Sequence, residues 1–177
     1  NTGGIVDTNF FNGKGGYAAN DSLNRSKIEG LDSLVLMSQA GMNGGRALVQ
    51  ILNGEVNPSG KLTDTWPGNF DDNPSSEGFA NQDGNTAQEL YNDDIFVGYR
   101  YYDTFGKDVA YEFGYGGSYT KFAMSTQSVT ADKDKVTVKV KVKNTGTVSG
   151  KEVAEVYFSA PEGNLDKPYQ ELAGYAK

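Results

Sequence analysis

The chain has 177 residues, 37% hydrophobic and 22% charged, with a formal net charge of −7 and no cysteine or histidine. That length holds one ordinary domain or two small ones. The acidic balance disfavours a nucleic-acid partner, and no run of about twenty apolar residues predicts a membrane-spanning helix. Without Cys or His there can be no disulfide, zinc–thiolate site, thiol nucleophile or Ser-His-Asp triad, so acid–base chemistry falls to carboxylates, Lys or Tyr. No metal site and no cofactor is expected. Cytoplasmic and secreted locations are both compatible with this composition. Eleven tyrosines supply amphipathic rings suited to sugars or wet interfaces, although Tyr is also common in β-structure. The first residue is Asn and no leader-like segment follows, so the sequence is expected to be a piece of something longer.

In chain order, Ile5 and Val6 follow Gly3-Gly4 and read as a loop leaving an earlier strand. Residues 33–37 (SLVLM) are a short apolar run between polar flanks, which predicts a buried strand of a parallel sheet. Gly41, Gly44 and Gly45 then lead into residues 46–53, where positions 47, 48, 51 and 52 are apolar. That spacing predicts one face of a helix, stopped by Asn53-Gly54. Strand, Gly-rich turn and helix make an α/β unit, with residues 62–66 as the next extended piece. Asn57-Pro58-Ser59-Gly60 is a turn by its own chemistry and signals no catalysis.

The Gly-rich turn admits three uses. A phosphate cradle lacks its G-x-G-x-x-G spacing or Walker lysine. Close approach of backbone at a corner needs glycine because it has no Cβ. Compatible with that second use, residues 38–43 leave the carboxyl end of the predicted strand, where ligands of open α/β sheets sit, and so can rim a pocket.

Residues 68–92 are dominated by Asp, Asn, Ser, Gly and Gln. A polar connection of about 25 residues is longer than ordinary loops, and is disordered, functional or held against a partner. The pairs Asp71-Asp72 and Asp93-Asp94 lie in polar sequence, where adjacent acids are more often solvated charge than acid–base pairs. Residues 95–102 (IFVGYRYY) are dense in β-formers, and 111–122 interleave aromatics with glycines. Val136, Val138, Val140 and Val142 alternate with Thr137, Lys139, Lys141 and Lys143, which predicts a half-buried antiparallel strand. Asn144-Thr145-Gly146 turns the chain, and residues 153–158 give another strand. Three or four strands in about 60 residues fall short of a seven-stranded sandwich of about 100.

The wording and order of three segments go further. "SLVLMSQAGMNGGRALVQILNGEVNPSGKLTDTWP" resembles the end of the α/β-sandwich domain of glycoside hydrolase family 3. "YNDDIFVGYRYYDTFGKDVAYEFGYGGSYTKF" resembles that family's passage into a fibronectin type III-like domain. "VKVKNTGTVSGKEVAEVYFSAPEGNLDKPYQELAGYAK" is similar to the first half of that domain. The resemblance implies an α/β class followed by an incomplete all-β sandwich. Its expected boundaries are 1–67 for the end of the α/β-sandwich domain, 68–115 for a connector, and 116–177 for the start of the fibronectin-like domain. It implies a retaining β-glycosidase, of β-glucosidase type, acting on β-linked oligosaccharides or glucosides.

In that family the Gly-Gly turn faces a preceding barrel, which makes Gln39 and Asn43 the candidate active-site rim. The family's nucleophilic Asp, in a Ser-Asp-Trp context, and its acid/base Glu, in an Arg-x-Ser-Gly-Glu-Gly-x-Asp context, match no position here. No catalytic residue is therefore assigned, and the remaining domains of the enzyme, or a chain carrying them, are the expected partners. Two positions depart from the family: Asn43 stands where Glu is usual, and Gly117 where Leu is usual. A non-catalytic carbohydrate-binding or adhesion module is the alternative reading.

Overall fold

The computed structural model describes residues 4–14, 27–79 and 84–177. Ile5 and Val6 lie in irregular chain, as expected of a loop, and Gly3 falls outside the described residues. A single turn, α1 (Asn9–Asn12), follows and is closed by Gly13 at φ 75°. Its entry is fixed by Thr8, which is fully buried and donates through Oγ1 to Asn12 Oδ1 at 3.2 Å.

Residues 33–37 do not form the expected strand. Leu34, Val35 and Leu36 are 44%, 46% and 42% exposed. A buried parallel strand needs a neighbour on each edge and cover on each face, and the described residues supply neither. The helix expected after it is present as α2 (Gly44–Leu52), with Gly54 at φ 80° beyond its end. Its apolar face is only half covered: Leu48 and Ile51 are half-buried, while Leu52 is 62% exposed.

The extended piece expected at 62–66 is realised as a shorter strand, β1 (Trp66–Pro67), paired antiparallel with β2 (Val109–Tyr111). Leu62 prolongs the pairing by exchanging backbone hydrogen bonds with Gly114 and Tyr115, at 2.9 and 2.8 Å. Trp66 meets Tyr111 edge-on at 5.7 Å between ring centroids.

Between these strands the β-formers of 95–102 run into a helix instead, α3 (Tyr99–Phe105), entered at Gly98 (φ 57°) and closed at Gly106 (φ 59°). Intrinsic β preference spans only about 1 kcal/mol and yields to packing. Here Tyr99 packs on Phe113 and Tyr157, Phe105 packs on Phe96 and Tyr101, and Tyr102 is 3% exposed. Helical geometry lets Tyr99 and Phe105, at opposite ends of one short segment, reach three aromatic neighbours outside it.

The valine alternation is borne out. β3 (Phe122–Ala131) and β4 (Val136–Asn144) form an antiparallel hairpin, closed by Asp132 N–H donating to Lys135 O, with a bulge between Thr126 and Ser128. β5 (Ala154–Phe158) pairs with β6 (Glu171–Ala176) in a separate two-stranded sheet. The valine side of β4 and the side of β5–β6 carrying Ala154, Val156, Gly174 and Ala176 line a cleft of about 1050 Å³. At its ends Val136 and Val142 remain 62% and 44% exposed.

One junction ties these pieces together. Asn57 Oδ1 accepts from Tyr119 N–H (2.8 Å) and Ser118 Oγ (3.1 Å), while its Nδ2 donates to Ser149 O at 3.2 Å. Tyr119 OH donates to Ile51 O at the end of α2. Lys61 pairs with Glu152 at 2.6 Å, the side chains 20% and 15% exposed. Gly116 and Gly150 sit where a side chain would collide with Gly60 O and with Asn57 Nδ2 respectively. At Gly117, by contrast, an added Cβ meets nothing within 4 Å.

Two outcomes follow from the junction. Gly116→Ala is expected to destabilise by about 1–3 kcal/mol in denaturant unfolding, the cost of overpacking against backbone, whereas Gly117→Ala stays within about 0.5 kcal/mol. The second concerns acid. Burial alone would raise the Glu152 carboxyl, but the Lys61 ammonium, the Val153 N–H and Lys177 outweigh it and hold it below the usual carboxylate range. The unfolded chain therefore takes up this proton at higher pH than the folded one. The Glu152 contribution is full above the ordinary value of 4.5 and is lost as pH falls through the lower folded value. A pH series of unfolding curves should show an acid limb that Glu152→Gln flattens.

Candidate active-site rim

The Gly-rich turn works as a corner at two of its three glycines. Gly41 takes a left-handed conformation (φ 66°), as does Ser38 just before it (φ 50°). Gly44 is buried, and a Cβ there would lie 2.7 Å from the Ala40 Cβ. Gly45 faces open space. Close backbone approach therefore explains Gly44, and positive φ explains Gly41.

The two predicted rim residues stand on the outside of this corner. Gln39 and Asn43 are both exposed, and Met42 between them is fully so. Asn43 occupies the N-cap of α2 and accepts Ala47 N–H through its carbonyl at 3.0 Å, while its side chain makes no capping bond. Among the described residues no hydrogen bond joins either side chain to the paired aspartates. The family-unusual Gly117 lies elsewhere, beside the Asn57 junction.

The paired aspartates behave differently from free solvated charge. One member of each pair converges on Tyr102. Tyr102 OH donates to Asn73 Oδ1 at 3.3 Å, and its hydroxyl is pushed up by burial first, then by Asp72, Tyr101 and Asp93. Asp72 pairs with Lys107 at 3.3 Å, and Asp93 accepts from Ser75 Oγ through both oxygens, at 2.9 and 3.0 Å. A 3₁₀ turn at Phe70–Asp72 and further turns through residue 79 order this part of the connector, while residues 80–83 lie outside the described residues. Sequence reasoning missed this cluster. Its only local signal was the recurrence of Asp-Asp on either side of the polar stretch. The arrangement holds the start of the connector onto α3, and both carboxylates are already engaged. Among the described residues no group of three or more potential metal ligands occurs.

Comparison with known proteins finds relatives along the whole chain. Residues 16–99 match the profile described as the glycosyl hydrolase family 3 C-terminal domain. Beta-glucosidase A of Butyrivibrio fibrisolvens is 39% identical over an alignment covering all of this chain and 21% of its own length. A beta-glucosidase of Ruminococcus albus is 46% identical, covering 82% of this chain and 15% of its own. The chain belongs to glycoside hydrolase family 3. Among solved family 3 structures, beta-glucosidase 3B from Thermotoga neapolitana in complex with alpha-D-glucose superposes with a TM-score of 0.74. It is 47% identical, over 80% of this chain and 20% of that one. The Kluyveromyces marxianus beta-glucosidase superposes at 0.69 with 41% identity, over 75% of this chain and 16% of that one. The chain thus spans between 15% and 21% of the length of these relatives. Its mixed helix and strand content is that of their C-terminal domain region.

Proposed function

We propose that the chain serves as scaffold and active-site rim in a retaining β-glycosidase that removes terminal β-linked glucose or a related sugar from oligosaccharides or glucosides. The observation that carries this reading is the 47% identity to a glucose-bound beta-glucosidase with a TM-score of 0.74. Retaining hydrolysis needs two carboxyl groups about 5–5.5 Å apart, one as nucleophile and one as acid and base. The carboxylates described above are tied to Lys107, Ser75 and Lys61, and none has the free, paired arrangement that the reaction demands. The chemistry then belongs to the remaining domains, and Gln39 and Asn43 would meet them, or the substrate between them, at the exposed corner before α2.

The same reading assigns residues 1–67 to an α/β-sandwich domain and 116–177 to the opening strands of a fibronectin type III-like sandwich, with 68–115 between. It is supported by the exposed apolar run at 33–37, which suits a sheet strand awaiting neighbours, and by the cleft between two separate two-stranded sheets. Each Val on β4 would contribute about 1.5–3 kcal/mol if fully buried.

Two experiments test this. Purified alone, the chain is expected to release no aryl alcohol from an aryl β-glucoside above background, while the full-length protein containing it does. Turnover by the chain alone, surviving repurification, would overturn the assignment of chemistry elsewhere. For the fold, the chain alone is expected to self-associate in sedimentation, through the open valine face and strand edges. Extending it by about 40 residues of its natural continuation, toward the roughly 100 of a full sandwich, should yield a monomer. A monodisperse monomer without the extension would show that four strands suffice.

A further inference from the structure

The polar face of the β3–β4 hairpin takes no part in the junction or the rim. Strand alternation turns Lys139, Lys141 and Lys143 away from the valines, and all three are exposed. Opposite them on β3 stand Ser128, Ser125 and Ala123, in register. These short side chains leave the ammonium groups uncovered and add two hydroxyls beside them. Same-face neighbours on a strand lie about 7 Å apart, so the row runs for about 14 Å. Lys121, exposed just before β3, continues this end of the hairpin, its carbonyl accepting Thr145 N–H at 2.8 Å.

Charge is unbalanced here. Residues 121–151 hold seven lysines against Asp132 and Asp134, a net of five positive charges in a chain whose total is −7. Both aspartates sit at the hairpin turn, beyond the row. The salt bridges among the described residues engage Lys61, Arg100 and Lys107, and no carboxylate among those residues pairs with Lys139, Lys141 or Lys143. A single-sign row repels itself and concentrates anions near it. The rest of the face selects the partner. It carries no aromatic ring for bases to stack on, no large apolar side chain to enter a bilayer, and no Trp, Tyr or Arg anchor of the kind protein interfaces use. What it offers is a straight line of ammonium groups flanked by hydroxyls, which complements a hydrated linear polymer bearing regular carboxylates.

We infer that this face holds an acidic polysaccharide, with uronate carboxylates along its chain, and so tethers the enzyme to glycan near its substrate. The inference rests on the glycosidase reading for the polymer being a glycan, and on the lysine row for its being acidic. Lysines on an open strand also deter pairing with other strands. That role predicts aggregation when they are removed, whereas a tether predicts the loss of a ligand.

The test uses the full-length protein and polygalacturonate in affinity electrophoresis, with the neutral, fully methyl-esterified polymer as control. Polygalacturonate is expected to retard the parent at low ionic strength and to release it near about 1 M salt, where the screening length of about 3 Å falls below the spacing of the row. Lys139→Gln/Lys141→Gln/Lys143→Gln should weaken binding about tenfold, the combined effect of three exposed ion pairs, and Lys139→Arg/Lys141→Arg/Lys143→Arg should keep it. Lys14→Gln/Lys27→Gln/Lys167→Gln removes the same charge from other exposed positions and should change binding less than about twofold. Turnover of an aryl β-glucoside should be alike in all of them. No retardation of the parent, equal retardation by the neutral polymer, an equal loss in the control triple, or tighter binding of duplex DNA or anionic lipid vesicles would each overturn the tether. So would a row variant that only aggregates, which marks edge protection, or one that only changes oligomeric state in sedimentation, which marks a second copy as the occupant. A full-length protein that binds polygalacturonate yet hydrolyses no glucoside sinks the glycosidase reading and leaves the tether standing.

Discussion

The side-chain amide of Asn57 is the interaction from which the rest of the structure hangs. Its oxygen takes two donors from residues 118–119 and its nitrogen reaches the Ser149 carbonyl, so one small group binds segments 61, 62 and 92 positions away. Only an amide offers acceptor and donor together at that reach; an aspartate would accept from Ser118 and Tyr119 but oppose Ser149 O. Around it, Tyr119 OH satisfies a carbonyl at the end of α2, Lys61 pairs with Glu152, and Lys177 Nζ donates to Ser59 O. Isolated two-stranded sheets are marginal in water, and each of the three sheets among the described residues has two strands. The junction lets them act as one body without sharing a ladder.

That body is short of interior. The chain exposes 12748 Å², about half as much again as the roughly 8,400 Å² expected of a compact monomer of this mass. Among the described residues the buried hydrophobic side chains are Trp66 and Tyr102. The exposed apolar side chains include the 33–37 run, Leu52 of α2 and the two ends of the valine strand, surfaces whose composition or periodicity marks them for burial. Patches of this kind on a soluble chain mark places where other protein belongs, and family 3 relatives about five times as long have the mass to supply it.

The same imbalance explains which elements could be read from sequence. α2 and β4 carry their own information: a Gly-rich entry, an Asn-Gly stop and a 3.6-residue pattern in one, strict alternation in the other. Each forms even where its cover is thin. Residues 33–37 carry the composition of a strand, but a strand exists only through its neighbours, and those are not among the described residues. Residues 95–102 failed in the opposite way. Their β preference was real and was overruled by contacts with Phe113 and Tyr157, which no local window contains. Asn57 was legible as a turn residue, yet its partners at 118, 119 and 149 could not be. The Tyr102 cluster likewise joins residues 72, 73, 93 and 102, and doubled aspartates were its only trace in sequence.

On the proposed reading, what the chain brings to the reaction is a matter of placement more than of proton transfer. A general acid at neutral pH needs a carboxyl whose pKa is raised, by burial without a partner or by a like charge nearby. Glu152 is the opposite case: although largely buried, it is held down by Lys61, so it stays charged and structural. Asp93 is occupied by the Ser75 hydroxyl and Asp72 by Lys107. Asp72, Asp93 and Glu152 are thus committed to fastening the polypeptide to itself. Fastening is what the proposed rim requires. An exposed corner such as Ser38 to Asn43 can present side chains to a substrate with useful precision only if α2 behind it does not move. α2 is anchored through Ile51 and Tyr119 to the Asn57 junction, and through that junction to the β-sheets of the C-terminal half.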